Sequence, residues 1–351
     1  MVTARRCAVL MAAASRHGSI LPIASASFTR FSKLAAASSA SSPQLLRRPQ
    51  TGWRPTRVVT DVDDTIKSSG NLRLFNLPLG GIDAQYSRGE FYPGVFQFGL
   101  ELARHRCPRD RMPLRVAVLT ARAREFLFAL KLDGAHPVSV AYERCGRSNG
   151  VDGWGLGPVL YGSVKEWICS ERKAIRKLEN FNEILRADRA TALVRGGGGG
   201  GDANGRFGAL AGSLHASAGV GGAGSDGGVG KSAGPRPQYV FIGDTGEGDL
   251  VAGQNMCRDH PADMRGVFFH AVSCNGGGAV PLPPDSLVNG VPVLFFRTYV
   301  GAAVKAARLG LLDDCGLRRV IAAARADLEA AGVPRTASKW VDLERDIADA
   351  R

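Results

Sequence analysis

The first 60 residues of the chain lack aspartate and glutamate altogether, and Asp61 is the first carboxylate. The same stretch carries nine Lys or Arg residues, so it supplies most of the formal net charge of +13 in this 351-residue sequence. The remaining 291 residues carry only about +4, which is ordinary for a soluble domain. They contain no basic stripe with interleaved aromatic residues, so the charge does not indicate a nucleic-acid partner.

Long apolar runs and paired cysteines are also missing. No run approaches the roughly 18–20 residues that a membrane-spanning helix needs, so the sequence predicts no transmembrane segment. None of the seven cysteines lies in a C-x-x-C pair, and they are scattered along the chain. This spacing argues against a disulfide framework or a zinc site and favours a reducing compartment.

The acid-free leader is rich in Arg, Ser and Ala, and Arg or His interrupts its apolar patches. This composition is typical of an organelle transit peptide more than of a secretory signal, and it predicts a mitochondrial or plastid location. The alternative is a disordered basic tail on a cytoplasmic protein that works at membrane surfaces. In both cases we expect residues 1–52 to lie outside the folded domain.

Short apolar strands alternate with helical patterns between residues 53 and 335, which we take as the folded domain. This alternation predicts an α/β fold, a Rossmann-like three-layer sandwich with a mainly parallel sheet. Helices are predicted at 94–106, 163–185 and 299–332. Residues 114–132 are predicted to form a strand, a turn at Thr120–Arg122 and then a helix. The other predicted strands are 57–60, 238–244, 266–272 and 291–298.

Three segments depart from the alternation. Residues 133–162 are Gly-rich with scattered aromatic side chains, and we expect them to form a small cap or lid. Residues 196–235 are of low complexity and nearly lack large apolar side chains, which predicts a flexible, disordered surface insert. Residues 336–351 are expected to form a C-terminal tail.

Clustered carboxylates follow the first predicted strand. Asp61, Asp63 and Asp64 stand directly behind it, and Thr65 comes next. Adjacent anions repel each other, so the cluster costs stability unless a cation or a proton offsets it. The plain alternative is an acidic surface loop. Only further ligands elsewhere in the chain distinguish the two interpretations.

A second acidic stretch follows another predicted strand, 238–244. Asp244 and Asp249 are five residues apart in a glycine-rich segment. The predicted strands end at Asp61, Thr120 and Asp244, and ligands of parallel sheets collect beyond the carboxyl ends of the strands. We therefore expect these side chains to converge at one edge of the sheet.

Such a convergence of hard oxygen ligands suits Mg²⁺. The predicted ligands are the carboxylates of Asp61, Asp244 and Asp249, with the backbone carbonyl of Asp63 as an additional oxygen. The free oxygen of Asp61 would attack phosphorus and form an aspartyl-phosphate. Asp63 would serve first as general acid and then as general base.

Phosphoryl transfer also needs groups that neutralise the equatorial oxygens of the phosphate. The Thr120 hydroxyl is one candidate. A lysine should complete the set, and the helix before the second acidic strand offers Lys165, Lys173 and Lys177. Any one of them, taken alone, is more simply a solvated helix charge.

In this order the motifs resemble the phosphatases of the haloacid dehalogenase superfamily, which carry D-x-D-x-T, Ser or Thr, Lys and G-D-x-x-x-x-D. The corresponding stretches here are "DVDDT" (61–65), Thr120, a helix lysine and "GDTGEGD" (243–249). A narrower resemblance, over about residues 55–330, is to the catalytic domain of the actin-patch-associated phosphatidate phosphatase family. It is carried by "DDTIKSSG", "KLENF", "GDTGEGDLVAGQ" and "FFRTYVGAA".

The resemblance implies Mg²⁺-dependent removal of phosphate from phosphatidate, giving diacylglycerol at a membrane surface. The family places a Lys shortly before an Asn-Phe pair, which favours Lys177 as the catalytic lysine. The Gly-rich insert departs from the family pattern. Two alternatives stay open: a phosphatase of a soluble phosphomonoester, and a catalytically idle domain kept for binding.

Overall fold

The structure is a computed structural model of the chain. It describes residues 53–70, 73–74, 77–78, 82–123, 131–162, 170–195, 234–246, 248–272 and 281–350. These residues belong to one compact unit, Gln50–Arg351. The expected transit-like tail, nearly all of the Gly-rich insert, and Lys165 lie outside the described residues.

The strands have the following bounds: β1 (Thr56–Thr60), β2 (Arg73–Leu74), β3 (Leu77–Pro78), β4 (Val116–Ala123), β5 (Leu156–Gly162), β6 (Gln238–Asp244), β7 (Met264–His270), β8 (Ser286–Val288) and β9 (Val291–Phe296). The helices have the following bounds: α1 (Val95–Arg104), α2 (Pro137–Ser148), α3 (Ser170–Arg195), α4 (Asp249–Asp259), α5 (Tyr299–Arg308), α6 (Asp314–Ala330) and α7 (Ser338–Ala348).

The main sheet has seven strands in the order β5-β4-β1-β6-β7-β9-β8, and only β8 runs antiparallel to its neighbour. From β1 the chain builds outward through β4 to β5. It then returns to β6 on the other side of β1 and continues to β7 and β9. The direction of winding therefore reverses between β1 and β6, and a ligand crevice is expected outside the carboxyl ends of these two strands.

Successive residues of a strand point to opposite faces of the sheet, and helices cover both of these faces. Val58 packs in one core with residues of α1, α2, α5, α6 and α7. Its neighbour Val59 packs in a second core with residues of α3 and α4. The α/β three-layer sandwich expected from the sequence is confirmed.

Helix α3 is fastened to the middle of the sheet by a buried ion pair. The Arg57 guanidinium in β1 donates from Nε and Nη2 to the Asp188 carboxylate, each at 2.6 Å. The Tyr239 hydroxyl in β6 donates to the same carboxylate at 3.0 Å. Phe181 and Leu185 are buried as predicted, but Ile175, expected on the same side, is 55% exposed.

Residues 133–162 do not form the expected cap. They contain α2 and the edge strand β5, which pairs in parallel with β4. Tyr142 and Trp154 are buried in the core with α1. The scattered aromatic side chains of this segment therefore serve packing. A small two-stranded unit does occur, but it is β2 with β3, shortly after the first acidic cluster.

Two further boundaries differ from the expectation. Strand β4 continues through Thr120 to Ala123, where a turn was predicted, and 124–130 lies outside the described residues. The expected C-terminal tail contains α7, whose Trp340, Leu343 and Ile347 join the main core. Within the described residues, no helix combines the length and the apolar character that crossing a bilayer needs.

Candidate metal centre

Asp61 is the first residue beyond β1, at the point where the winding of the sheet reverses. Its backbone N–H donates to the carbonyl of Ile242 in β6 at 3.0 Å, which ties the start of the acidic loop to the neighbouring strand. The Asp61 side chain is buried. The buried strand β1 therefore positions the Asp61 carboxylate in the crevice.

The second acidic pair spans the connection from β6 to α4. Asp244 ends β6, and Asp249 begins α4, where the helix dipole favours a negative charge. Gly248 caps the helix with φ of 92°, a left-handed conformation that glycine adopts at low cost. A Cβ on Gly243 would lie 2.5 Å from Asp249 Oδ2, so only glycine allows Asp249 to reach back to the strand.

The carboxylates of Asp61, Asp244 and Asp249 come together in one buried cluster. Each offers an oxygen that lies within 4.8 Å of the others, and this separation suits a single metal ion. The structure thus brings together the three predicted carboxylate ligands. The predicted contribution of the Asp63 backbone carbonyl stays a prediction.

Lys177 of α3 lies against this cluster. Its nitrogen is 3.3 Å from Asp61 Oδ1, and it donates a hydrogen bond to Asp249. Burial by itself would lower the Lys177 pKa, but the charges of Asp249, Asp61 and Asp244 raise it above its ordinary value. Lys177 is therefore a fully buried cation.

The net charge of the cluster can be balanced by a divalent cation. Three carboxylates face one ammonium, so the ionised cluster has two unbalanced negative charges. Burial and the neighbouring Asp249 and Asp61 raise the Asp244 pKa well above its usual range. Asp244 Oδ2 is buried and has no hydrogen-bond partner among the described residues. Oxygen donors of this kind fit a hard divalent ion such as Mg²⁺.

Asp63 lies apart from the carboxylate cluster. It forms an isolated β-bridge with Lys67. Its carboxylate accepts two hydrogen bonds from Arg122, from Nε at 3.0 Å and from Nη2 at 2.9 Å. Asp63 is also more exposed than the cluster, with 23% of its side chain accessible. An acid at the edge of the site, reachable from solvent, suits proton transfer.

Thr120 is buried in β4, next to β1 in the sheet. The register pairs Thr60 with Val118, so Thr120 lies just beyond the level at which β1 ends. Its hydroxyl accepts a hydrogen bond from the Arg122 backbone N–H at 3.2 Å, and its own proton remains available to donate. Lys173 is half-buried one helical turn before Lys177.

Two residues of the site have roles that sequence reasoning did not assign. Arg122 falls in a predicted turn, and nothing in the sequence indicates that its guanidinium holds Asp63. Asp64 is the second: its φ is 58°, and its carboxylate accepts from the backbone N–H groups of Ser69, Ile82 and Asp83 at 2.8, 2.5 and 3.0 Å. Asp64 is thus a structural anchor of the acidic loop. Its place beside Asp63 in the sequence was the only available signal.

Buried polar side chains hold the acidic loop after β1 in place. The Tyr299 hydroxyl donates to the Thr65 carbonyl at 2.5 Å, and His270 Nδ1 lies 2.8 Å from the Asp64 carbonyl. His270 Nε2 lies 3.0 Å from the Arg297 carbonyl. These contacts join the loop after β1 to β7 and α5, which fixes the backbone that carries Asp61.

A scan against protein-family models, a search of curated proteins and a search of solved structures each returned no match. The fold and the site by themselves define an α/β protein with a buried three-carboxylate site, able to hold a metal ion, at the switch point of its sheet.

Proposed function

We propose that this protein is a Mg²⁺-dependent phosphatase that acts through an aspartyl-phosphate on Asp61. The observation that carries the proposal is the contact of Lys177 with Asp61 inside the cluster that Asp61 forms with Asp244 and Asp249. A carboxylate that shares a metal site with a buried lysine has the surroundings a phosphoryl acceptor needs, because both cations attract the incoming phosphate.

Asp61, Asp244 and Asp249 would hold the Mg²⁺ ion. When bound, the ion would neutralise negative charge on the phosphoryl group and on the carboxylates around it. Lys177 adds a second positive charge beside Asp61, and the Thr120 hydroxyl is a further donor on the neighbouring strand. Such fixed charges stabilise the transition state because they are oriented before the reaction begins.

In the first step an oxygen of Asp61 forms a bond to phosphorus while the bond from phosphorus to the ester oxygen breaks. Asp63 donates its proton to that oxygen, which leaves as an alcohol. In the second step a water molecule attacks the aspartyl-phosphate. Asp63 takes a proton from this water, Asp61 regains its carboxylate, and inorganic phosphate is released. Arg122 keeps the Asp63 carboxyl group in place through its paired N–H groups.

The proposed substrate is phosphatidate, which would be converted to diacylglycerol at a membrane surface. This choice is supported by the resemblance of the sequence motifs to the phosphatidate phosphatase family. A soluble phosphomonoester would use the same chemistry with a different pocket. The idle binding domain is the weakest alternative, because burying three carboxylates and a lysine is costly for a domain that has no use for them.

Phosphate release by the purified full-length chain, from phosphatidate in mixed micelles and from soluble phosphomonoesters, tests the proposal. The wild type should turn over one of them only with Mg²⁺, and Asp61→Asn should abolish turnover because an amide cannot form the acyl-phosphate. The matched control is Asp259→Asn, an exposed acid at the end of α4. Turnover by Asp61→Asn at the wild-type rate would overturn the mechanism.

A further inference from the structure

A second charged site lies at the opposite edge of the sheet from the carboxylate cluster. There Arg265, near the start of β7, donates to the Thr56 hydroxyl at the start of β1 at 3.0 Å. The cluster lies beyond the carboxyl ends of the same parallel strands. The five residues of β1 separate these two ends of the sheet by about 17 Å.

An open cleft of about 240 Å³ lies at this edge. Its walls come from the residues that end and follow α1 and from the residues that begin α6. The volume is somewhat below the roughly 300–1,000 Å³ of typical small-molecule pockets, so the cleft suits a small ligand. Arginine dominates the lining, through Arg104, Arg106 and Arg319.

Two of these arginines are held in fixed positions by one buried acid. Glu101 is 2% exposed and accepts from Arg319 Nε and Nη2, each at 2.8 Å. Arg104 Nε donates to the same carboxylate at 2.8 Å. A guanidinium has five N–H donors, so each arginine keeps donors that Glu101 does not use. One carboxylate shared by two guanidiniums leaves a net positive charge.

A third arginine, Arg106, and the neighbouring His105 also line the cleft. Arg106 has a φ of 56° and is exposed, so its guanidinium is accessible to a ligand in the cleft. The His105 side chain hydrogen-bonds the Gly310 backbone, and its buried Nε2 has no hydrogen-bond partner in the described part of the chain. Burial is the main cause that lowers the Arg265 pKa to about 10, and the charges of Arg106 and Arg54 add to the shift.

The remaining acid of the lining faces its own helix. Asp313 is the N-cap of α6 and accepts from the Gly316 N–H at 2.7 Å. This bond, together with His105, Arg319 and Arg104, lowers the Asp313 pKa. Its charge offsets part of the arginine charge, so three arginines against Glu101 and Asp313 leave the cleft with a net charge of +1.

We propose that this cleft binds a phosphate-type oxyanion, with Arg104, Arg106 and Arg319 as its donors. Guanidinium groups that approach from two sides match the several oxygens of a tetrahedral dianion, and charge-assisted hydrogen bonds of this kind are strong. The ligand is either free inorganic phosphate or the phosphate group of a small monoester. The site is separate from the carboxylate cluster and does not depend on the proposed phosphatase function.

Isothermal titration of the full-length chain with inorganic phosphate, in EDTA, tests this site. Without a metal the carboxylate cluster repels phosphate, so the signal reports other sites. Arg106→Gln should weaken the dissociation constant about ten-fold or more, because a charged donor is lost. Arg319→Gln should weaken it similarly, while Glu101 keeps Arg104 as its partner.

Two controls locate the binding. Arg109→Gln removes an exposed charge close to Arg106 and should change the constant less than about two-fold. Arg122→Gln removes a guanidinium beside the carboxylate cluster and should also leave it unchanged. Absence of phosphate binding at millimolar concentrations, equal effects of Arg106→Gln and Arg109→Gln, or loss of binding in Arg122→Gln would each overturn the proposal.

A parallel titration with glycerol 3-phosphate distinguishes the two sources of the ligand. Tighter binding of inorganic phosphate assigns the cleft to the free ion, and tighter binding of the monoester assigns it to a phosphorylated metabolite. In both cases the same arginine variants should weaken the binding. A monoester that binds equally well to the wild type and to Arg106→Gln would contradict the assignment.

Discussion

Lys177 Nζ lies 3.3 Å from Asp61 Oδ1, although the two residues belong to different layers of the fold. Asp61 follows a strand in the middle of the sheet, and Lys177 projects from the helix that covers one face. The Arg57–Asp188 ion pair joins the same strand to the same helix further along α3. The contact of Lys177 with Asp61 is therefore held by the framework of the domain.

Lys177→Ala should lower kcat at least about 100-fold, because a fixed positive charge next to Asp61 acts mainly on the transition state. Lys173→Ala, one turn earlier on the same helix, should cost at most a few-fold. Steady-state kinetics at saturating Mg²⁺ compares the two variants. The opposite ranking would move the catalytic role to Lys173.

Asp244→Asn should stabilise the metal-free protein and remove its response to Mg²⁺. Since the folded-state pKa of Asp244 is raised, its stabilising contribution is present at low pH and is lost as the pH rises through that pKa. At neutral pH the neutral amide of the variant avoids the free-energy cost of burying an ionised carboxylate at this position. Thermal unfolding should show a higher Tm than the wild type without metal.

Added Mg²⁺ should raise the Tm of the wild type, because an ion that binds only the folded state stabilises it. The Tm of Asp244→Asn should not respond. Asp259→Asn, which removes an exposed acid, serves as the control and should behave as the wild type does. A wild-type Tm that is insensitive to Mg²⁺ would refute the assignment of this metal to the cluster.

Arg122→Lys should reduce kcat by roughly ten-fold, and Arg122→Ala should reduce it further. Lysine keeps the charge but cannot supply two parallel N–H groups to the Asp63 carboxylate. If Arg122 positions Asp63, KM should change less than kcat in both variants. Wild-type kcat in Arg122→Ala would show that Asp63 needs no such partner.

Arg57→Met should lower the free energy of unfolding by about 3–5 kcal/mol, because it leaves the buried Asp188 carboxylate without its guanidinium. Arg325→Met removes an ion pair with Glu344 at the surface and should cost within about 0.5 kcal/mol. Urea unfolding followed by circular dichroism measures both. A similar cost for the two variants would mean that the buried pair contributes little.

Replacing residues 197–232 by a linker of about six Gly and Ser residues should leave kcat nearly unchanged. The flanking segments already meet, because the Gly234 N–H donates to the Ala192 carbonyl at 3.0 Å. A shorter loop costs less closure entropy, so the free energy of unfolding should stay equal or rise by about 1 kcal/mol. A large fall in kcat would assign the insert a part in the reaction.

Much of the fold follows from local pattern. Strand β6 was predicted with its observed bounds, and α1 with a difference of one or two residues, because short apolar runs and helical spacing are properties of neighbouring residues. The segment 133–162 was wrongly taken as a cap because its glycines and aromatic side chains have no distinctive period. Only the pairing of β5 with β4 shows that this segment contributes the edge strand of the sheet.

The sequence by itself determined which carboxylates form the site. Asp61 directly follows one strand of the parallel sheet and Asp244 ends another, while Gly243 and Gly248 allow Asp249 to turn back, so local chemistry already indicates all three.

Only the tertiary structure decided which cations meet these carboxylates. The contacts of Lys177 with Asp61 and of Arg122 with Asp63 depend on strand order and on the rotation of α3 against the sheet. These are set by the summed packing of two cores and by the buried Arg57–Asp188 pair. Such long-range terms leave no trace in the spacing of neighbouring residues, so the sequence indicated Lys177 only through the family-like "KLENF" segment and gave no sign of the role of Arg122.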